Sequence, residues 1–74
     1  MPEQITIIID GKPYGIETTQ LSGVEIKAMA ARAPQYQMFC EQEGDKADHL
    51  VGDSEKIKIR EGMKFYTVPP AMFG

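Results

Sequence analysis

The sequence is poor in the residues on which catalysis, metal binding and disulfide bonding depend. Its 74 residues include one cysteine, Cys40, one histidine, His49, and no tryptophan. A single cysteine cannot form an internal disulfide bond, so we expect a reducing compartment, the cytoplasm. A nucleophile–base pair would require Cys40 and His49 to meet, and nothing in the local sequence activates the Cys40 thiol. We therefore predict that the protein is not an enzyme, that Cys40 is a core residue and that His49 lies in a surface loop.

Sites for metals, cofactors, nucleic acids and membranes are also not indicated. Metal binding needs several ligands at workable spacing, whereas His49 has only a loose acidic loop around it, with Asp45, Asp48 and Asp53. The glycines are scattered and form no phosphate-binding loop, so no cofactor is expected. A net charge of −3 with dispersed Lys and Arg residues argues against nucleic acid as a partner. No apolar run is long enough for a signal peptide or a membrane span.

The composition is that of one small globular domain, and its first segment predicts a β-hairpin. Apolar residues make up 42% of the chain, which is adequate for a single core. Residues 4–9 are β-branched almost throughout and predict a strand. Asp10-Gly11 is a strong signal for a two-residue turn, because a type I′ turn needs positive φ at both positions. The return strand is predicted over residues 14–19, with Ile16 facing the core. The isoleucines expected on the same side are Ile5, Ile7 and Ile9.

A helix is predicted over residues 22–33. Ser22 and Glu25 have the spacing of a capping box, in which each side chain accepts a hydrogen bond from the backbone of the other residue. Leu21 and Ile26 are spaced as a hydrophobic staple. A proline at position 34 is expected to end the helix. The apolar stripe predicted to face the core comprises Val24, Ile26, Met29, Ala30 and Ala33.

Strands are also predicted after the helix, over residues 36–41, 48–51 and 63–68, and Ile57 and Ile59 alternate with lysines before the last of them. The order is therefore hairpin, helix, strand, short strand and strand. One helix across a mixed sheet of four or five strands is the simplest two-layer arrangement for this order. A right-handed crossover over the helix would place the last strand beside the first and parallel to it. The predicted fold class is α+β, and the predicted arrangement is a β-grasp.

Three segments carry a resemblance to a known family. They are Ile7-Ile8-Ile9-Asp10-Gly11-Lys12, Leu21-Ser22-Gly23-Val24-Glu25-Ile26 and Gly62-Met63-Lys64-Phe65-Tyr66-Thr67-Val68-Pro69. In this order they resemble the bacterial ubiquitin-like proteins called multiubiquitin domains. The resemblance implies a ubiquitin-like β-grasp domain over residues 1–68. It also implies four partners: a ubiquitin-activating-like enzyme, a conjugating-enzyme-like protein, a deconjugating peptidase and a target protein.

Residues 69–74 are expected to form a flexible C-terminal tail. Pro69 and Pro70 lack N–H donors and hold φ near about −65°, so they cannot extend a sheet and favour a polyproline-like course. The resemblance implies that this tail, made of Pro69, Pro70, Ala71, Met72 and Phe73, threads into the activating enzyme. It also implies that Gly74 is the site of covalent attachment, and a glycine carboxylate is the least hindered acyl group available. Ubiquitin ends in two glycines after basic residues, whereas Met72-Phe73 precede a single glycine in this sequence.

Three functions are compatible with this resemblance. In a modifier, the Gly74 carboxylate is adenylated, transferred to an enzyme cysteine as a thioester and conjugated to a target lysine. In a sulfur carrier of the same fold, the adenylate receives sulfide and becomes a thiocarboxylate. In a third class, the domain binds partners through its sheet and is never conjugated. We favour the modifier, because the resemblance is to a family found beside activating and conjugating enzymes.

Strand parity suggests a second functional surface. If Met63, Phe65 and Thr67 face the helix, the residues between them face outward. Phe39 would then be exposed on the neighbouring strand. The predicted partner-binding patch comprises Phe39, Tyr66 and Val68. Contiguous exposed aromatic residues often mark a partner site. The alternative is a reversed parity, which would place these side chains in the core.

Overall fold

The computed structural model describes residues 4–44 and 46–70. The predictions for Ala71, Met72, Phe73 and Gly74 therefore lie outside the described residues. Within the two described ranges the chain forms seven strands and one helix. In chain order these are β1 (Ile5–Ile9), β2 (Lys12–Ile16), β3 (Gln20–Ser22), α1 (Gly23–Met29), β4 (Gln37–Cys40), β5 (His49–Val51), β6 (Lys56–Lys58) and β7 (Lys64–Val68).

Five strands form one mixed sheet in the order β2-β1-β7-β4-β5, and β3 pairs with β6 in a second, two-stranded sheet. The last strand lies beside the first and parallel to it, with Ile8 opposite Lys64 and Ile9 opposite Phe65. On its other side β7 pairs antiparallel with β4. This arrangement of one helix on a mixed sheet confirms the predicted α+β class and is consistent with a β-grasp. It also places β7 at the centre of the sheet.

The core contains residues from the sheet, the helix and the second small sheet. Ile7 and Ile9 are at most 1% exposed, as their alternation predicted, and Ile26 on the helix is fully buried. Phe65 contributes the largest buried side chain from the central strand. Burial of such side chains is the main source of stability in a domain of this size. The buried cluster comprises Ile7, Ile9, Ile16, Leu21, Ile26, Met38, Cys40, Val51, Ile59 and Phe65.

The start of α1 follows the prediction, but its length and one buried position do not. Ser22 caps the helix, and its amide donates to Glu25 Oε1 at 2.7 Å, so the capping box is complete. The helix ends at Met29 instead of near residue 33, because Ala31 has a φ of +57° and breaks the helical conformation. Val24 was predicted to face the core and is 41% exposed. It lies on the opposite side of the helix from Ile26.

Strand pairing also differs from the prediction at two places. The return strand of the hairpin is β2, and it ends at Ile16, whereas the prediction ran to residue 19. β3 was not predicted as a strand. It pairs with β6 through Leu21 opposite Ile57, so Ser22 both ends a strand and caps the helix. The long-range pairing with β6 therefore makes a strand of a segment that its own residues do not predict as one.

A buried lysine holds the helix against two loops. Lys27 carries a charge and is nevertheless only 4% exposed. Its ammonium group donates to the carbonyl oxygen of Pro34 at 3.0 Å and to Asp53 Oδ1 at 2.5 Å. These bonds join the helix to the segment that follows it and to the loop between β5 and β6. Burial of this charge is possible because the ammonium has both partners.

Candidate functional site

The last two described residues, Pro69 and Pro70, directly follow the central strand of the sheet. β7 has β1 on one side and β4 on the other, and it ends at Val68. Pro69 follows and is half-buried, and Pro70 is exposed. Neither proline can donate a backbone hydrogen bond, so the sheet ladder cannot continue beyond Val68 on the donor side. Pro69 and Pro70, the first two residues of the predicted tail, thus lie at the end of a strand that is paired on both sides.

Phe39 and Tyr66 form an aromatic pair on the face of the sheet opposite the core. They are direct partners in the β4–β7 ladder, and both are half-buried. Their rings are stacked, with centroids 5.2 Å apart and planes inclined by 12°. The residues on either side of Phe39, Met38 and Cys40, are buried. Val68 is half-buried two residues beyond Tyr66, where it is paired with Gln37.

Leu50 extends this pair and was not identified from the sequence. It is the direct partner of Phe39 in the β4–β5 ladder and is 49% exposed. Because directly paired residues lie on the same face of a sheet, Leu50, Phe39 and Tyr66 form a row across three neighbouring strands. We call these three residues the outer apolar row. The short strand over residues 48–51 was predicted, but its register with β4 was not. Only that register shows that Leu50 is the partner of Phe39.

A carboxylate fixes the orientation of Tyr66 within the row. The Tyr66 hydroxyl donates to Asp48 Oδ2 at 2.7 Å. This hydrogen bond raises the pKa of the Tyr66 phenol, and burial and the nearby negative charges of Asp48 and Glu41 raise it further. The phenol therefore remains protonated and able to donate at neutral pH. The hydrogen bond to Asp48 thus fixes Tyr66, which stands at one end of the outer apolar row.

Asp10 binds the end of β7 and was also missed as a site residue. Its Oδ1 accepts from the backbone amide of Thr67 at 2.9 Å, and its Oδ2 accepts from the Thr67 hydroxyl at 2.6 Å. Arg32 Nε donates to Oδ2 at 3.2 Å. Burial by itself would raise the pKa of Asp10, but the hydrogen bonds from Thr67 and Arg32 outweigh it and lower the pKa. The sequence identified Asp10 only as a turn residue.

Cys40 and His49 are the two side chains considered above as a nucleophile and its base. Cys40 and His49 are opposite each other in the β4–β5 ladder. Burial raises the pKa of the Cys40 thiol, which lowers the fraction present as the nucleophilic thiolate. His49 Nε2 lies 2.7 Å from Glu55 Oε2, and these two side chains are 44% and 40% exposed. His49 is exposed, as predicted, but it begins β5, within the strand predicted over residues 48–51, and does not lie in a loop.

The described residues contain neither a cluster suited to a metal ion nor a helix that could span a membrane. Within residues 4–44 and 46–70, no group of three or more His, Cys, Asp or Glu side chains is arranged to hold a metal ion. The helix found in the same part of the chain is too short to span a membrane.

Comparison with known proteins identifies one family. The family model described as Multiubiquitin matches residues 5–71, which is most of the chain. The match runs from the start of β1 to residue 71 and so includes the strands that carry the outer apolar row and the Asp10–Thr67 contact. Neither the curated proteins nor the solved structures contain a match.

Proposed function

We propose that this chain, which belongs to the multiubiquitin family, is a ubiquitin-like protein modifier. Gly74 is the residue whose carboxylate is activated. A ubiquitin-activating-like enzyme forms the adenylate and then a thioester, and a conjugating-enzyme-like protein passes the acyl group to an amine of the target. A deconjugating peptidase cleaves the product. If Gly74 is followed by further residues in a longer chain, a peptidase must first cut after it.

The observation that carries this proposal is the position of β7. A central strand, hydrogen-bonded on both sides, leads directly into Pro69 and Pro70. Two prolines favour an extended course, which suits a segment that must reach into another protein. Phe39 and Tyr66 lie beside this exit on the outer face of the sheet. One side of the domain therefore offers both a surface for docking and the start of the segment that leads to Gly74.

The chemistry requires activation because a carboxylate is a poor acyl donor. The carboxylate oxygen attacks the α-phosphate of ATP, so an acyl–phosphate bond forms and pyrophosphate leaves. An enzyme thiolate then attacks the acyl carbon and AMP leaves. An amine of the target attacks the thioester, and the thiol is released as the isopeptide bond forms. Our proposal assigns the nucleophiles and the ATP site to the partner enzymes.

The test uses ATP–pyrophosphate exchange with the cognate activating enzyme and the chain that ends at Gly74. Gly74→Val should abolish exchange and thioester formation, because a branched side chain on the Cα next to the acyl carbon obstructs a narrow channel. Its unfolding curve should match that of the wild type. Gly52→Ala is the matched control. A Cβ at Gly52 meets atoms no nearer than 3.6 Å, so this variant should fold and be activated normally.

A second pair of variants separates docking from acyl chemistry. Phe39→Ala should raise the KM for the modifier by removing half of the stacked pair, while kcat at saturation is retained. Deletion of Gly74 should abolish kcat. Full exchange activity of the chain without Gly74 would exclude the modifier. A terminus whose mass has increased by the replacement of oxygen with sulfur, without conjugates on lysines, would identify a sulfur carrier instead.

A further inference from the structure

The hydrogen bond between the Thr67 amide and the Asp10 side chain takes the place of the next bond in the β1–β7 ladder. β1 and β7 run parallel as far as Ile9 opposite Phe65, and the amide of Asp10 donates to the carbonyl oxygen of Phe65 at 3.0 Å. In a longer parallel ladder, the Thr67 amide would next donate to a carbonyl of β1. The chain has already turned at Asp10, which has a φ of +52°. The Asp10 side chain accepts the Thr67 amide instead.

The same carboxylate joins three segments that are distant in sequence. Asp10 belongs to the hairpin turn, Thr67 to the end of β7, and Arg32 to the segment after α1. The Arg32 guanidinium also lies 6.0 Å from the centroid of the Tyr36 ring. The Asp10 side chain is 23% exposed, and its bonds to Thr67 are partly shielded from water, whereas the bond from Arg32 is exposed. Hydrogen bonds to an ionised and shielded acceptor are stronger than neutral ones.

We propose that Asp10 is a positioning residue for the tail, which acts through Thr67 to set the direction in which the chain leaves β7. This inference rests on the proposed function, because direction matters only if Gly74 must be delivered to an enzyme. Thr67 lies two residues before Pro69, and the fixed φ of each proline carries the direction of the strand outward. Asp10 itself does not touch the reacting carboxylate. Its effect is to reduce the number of orientations in which Gly74 approaches ATP.

The variants are chosen so that strain and loss of the carboxylate can be separated. Alanine at residue 10 would be strained, since φ there is positive. Asp10→Gly removes the carboxylate and tolerates this φ. Asp10→Asn also tolerates it and keeps an oxygen that can accept the Thr67 amide. Ser22→Ala is the control for stability, because it loses a cap hydrogen bond at the start of α1, in the two-stranded sheet of β3 and β6 and not in β1 or β7.

The first readout is ATP–pyrophosphate exchange, with kcat and KM determined separately. Asp10→Gly should lower kcat by about tenfold to a hundredfold, the range expected when a reacting group is misplaced, while KM changes little. Asp10→Asn should recover most of the lost kcat. Ser22→Ala should have the kcat of the wild type despite its lower stability. A wild-type kcat for Asp10→Gly, or an equal loss for Ser22→Ala, would overturn the proposal.

The second readout does not depend on the enzyme. Amide hydrogen exchange measured by NMR should be faster at Thr67 in Asp10→Gly than in the wild type, relative to core amides such as that of Phe65. Ser22→Ala should leave this ratio unchanged. An unchanged ratio in Asp10→Gly would overturn the role of Asp10 whatever the kinetics show. If the wild type supports no exchange of pyrophosphate, the proposed function fails, and the amide measurement then decides by itself whether Asp10 holds the end of β7.

Discussion

Lys27 and Asp53 form an ion pair with one buried and one exposed member, and this asymmetry predicts unequal effects of removing them. The Lys27 side chain is 5% exposed and that of Asp53 is 57% exposed. Removal of the aspartate leaves a buried ammonium group with the Pro34 carbonyl as its remaining partner. Removal of the lysine leaves two acceptors that water can reach, because Pro34 and Asp53 are both exposed. Asp53→Ala should therefore be the more destabilising change.

The expected magnitudes follow from the same geometry. Removing one member of a buried pair costs about 3–5 kcal/mol, and the exposure of Asp53 places Asp53→Ala near the lower end, at about 3 kcal/mol. Lys27→Met keeps a long unbranched side chain of similar volume and removes the buried charge. Such replacements of buried ionic groups are often close to neutral, so we expect a cost below about 1.5 kcal/mol.

Urea unfolding followed by tyrosine fluorescence measures both changes, since the chain has three tyrosines and no tryptophan. Equal m-values would show that the variants unfold from the same native state. In the Lys27→Met background, Asp53→Ala should cost less than about 0.5 kcal/mol, because its buried partner is already gone. The reasoning would be refuted by a Lys27→Met variant that is less stable than Asp53→Ala, or by additive effects in the double variant.

Other substitutions and a change of pH give further tests by the same measurement. Ile7→Ala should cost about 2–5 kcal/mol, because it opens a cavity at a fully buried site, and Ser22→Ala should cost about 1 kcal/mol through loss of the cap; the reverse order would contradict the assigned core. Gly23→Ala should destabilise by about 1–3 kcal/mol or more, since its Cβ would collide with the carbonyl oxygen of Gly52, and wild-type stability would rule out this close approach. Burial alone would raise the pKa of Asp10, but its hydrogen bonds outweigh this effect and lower the pKa, so the contribution of Asp10 to stability is present above about pH 4 and is lost as the pH falls. The difference in unfolding free energy between wild type and Asp10→Asn should therefore shrink between about pH 6 and about pH 3, and a difference that grew would contradict the ionised form of Asp10.

The features that the sequence predicted correctly depend on neighbours within a few residues. The β-branched run of β1 and the Asp10-Gly11 turn encode a hairpin locally, and the Ile7 and Ile9 positions follow from the period of two. The capping box of Ser22 and Glu25 spans four residues. The order of the elements, with the known handedness of crossovers, was then sufficient to place β7 beside β1. The hairpin, the buried face of β1 and the helix cap are thus determined by the amino-acid sequence through short-range physics, and the crossover rule adds the pairing of β7 with β1.

The features that were missed are decided by contacts between distant parts of the chain. The pairing of β3 with β6 turns Gln20–Ser22 into a strand, and no property of those three residues requires it. The register of β5 against β4 brings Leu50 next to Phe39. The bonds of Asp10 to Thr67 span 57 residues, and the bond of Lys27 to Asp53 spans 26. Local patterns indicate on which face of a strand a side chain lies. Its partner is determined only when the whole chain packs, because each buried polar group must then find a hydrogen-bond partner.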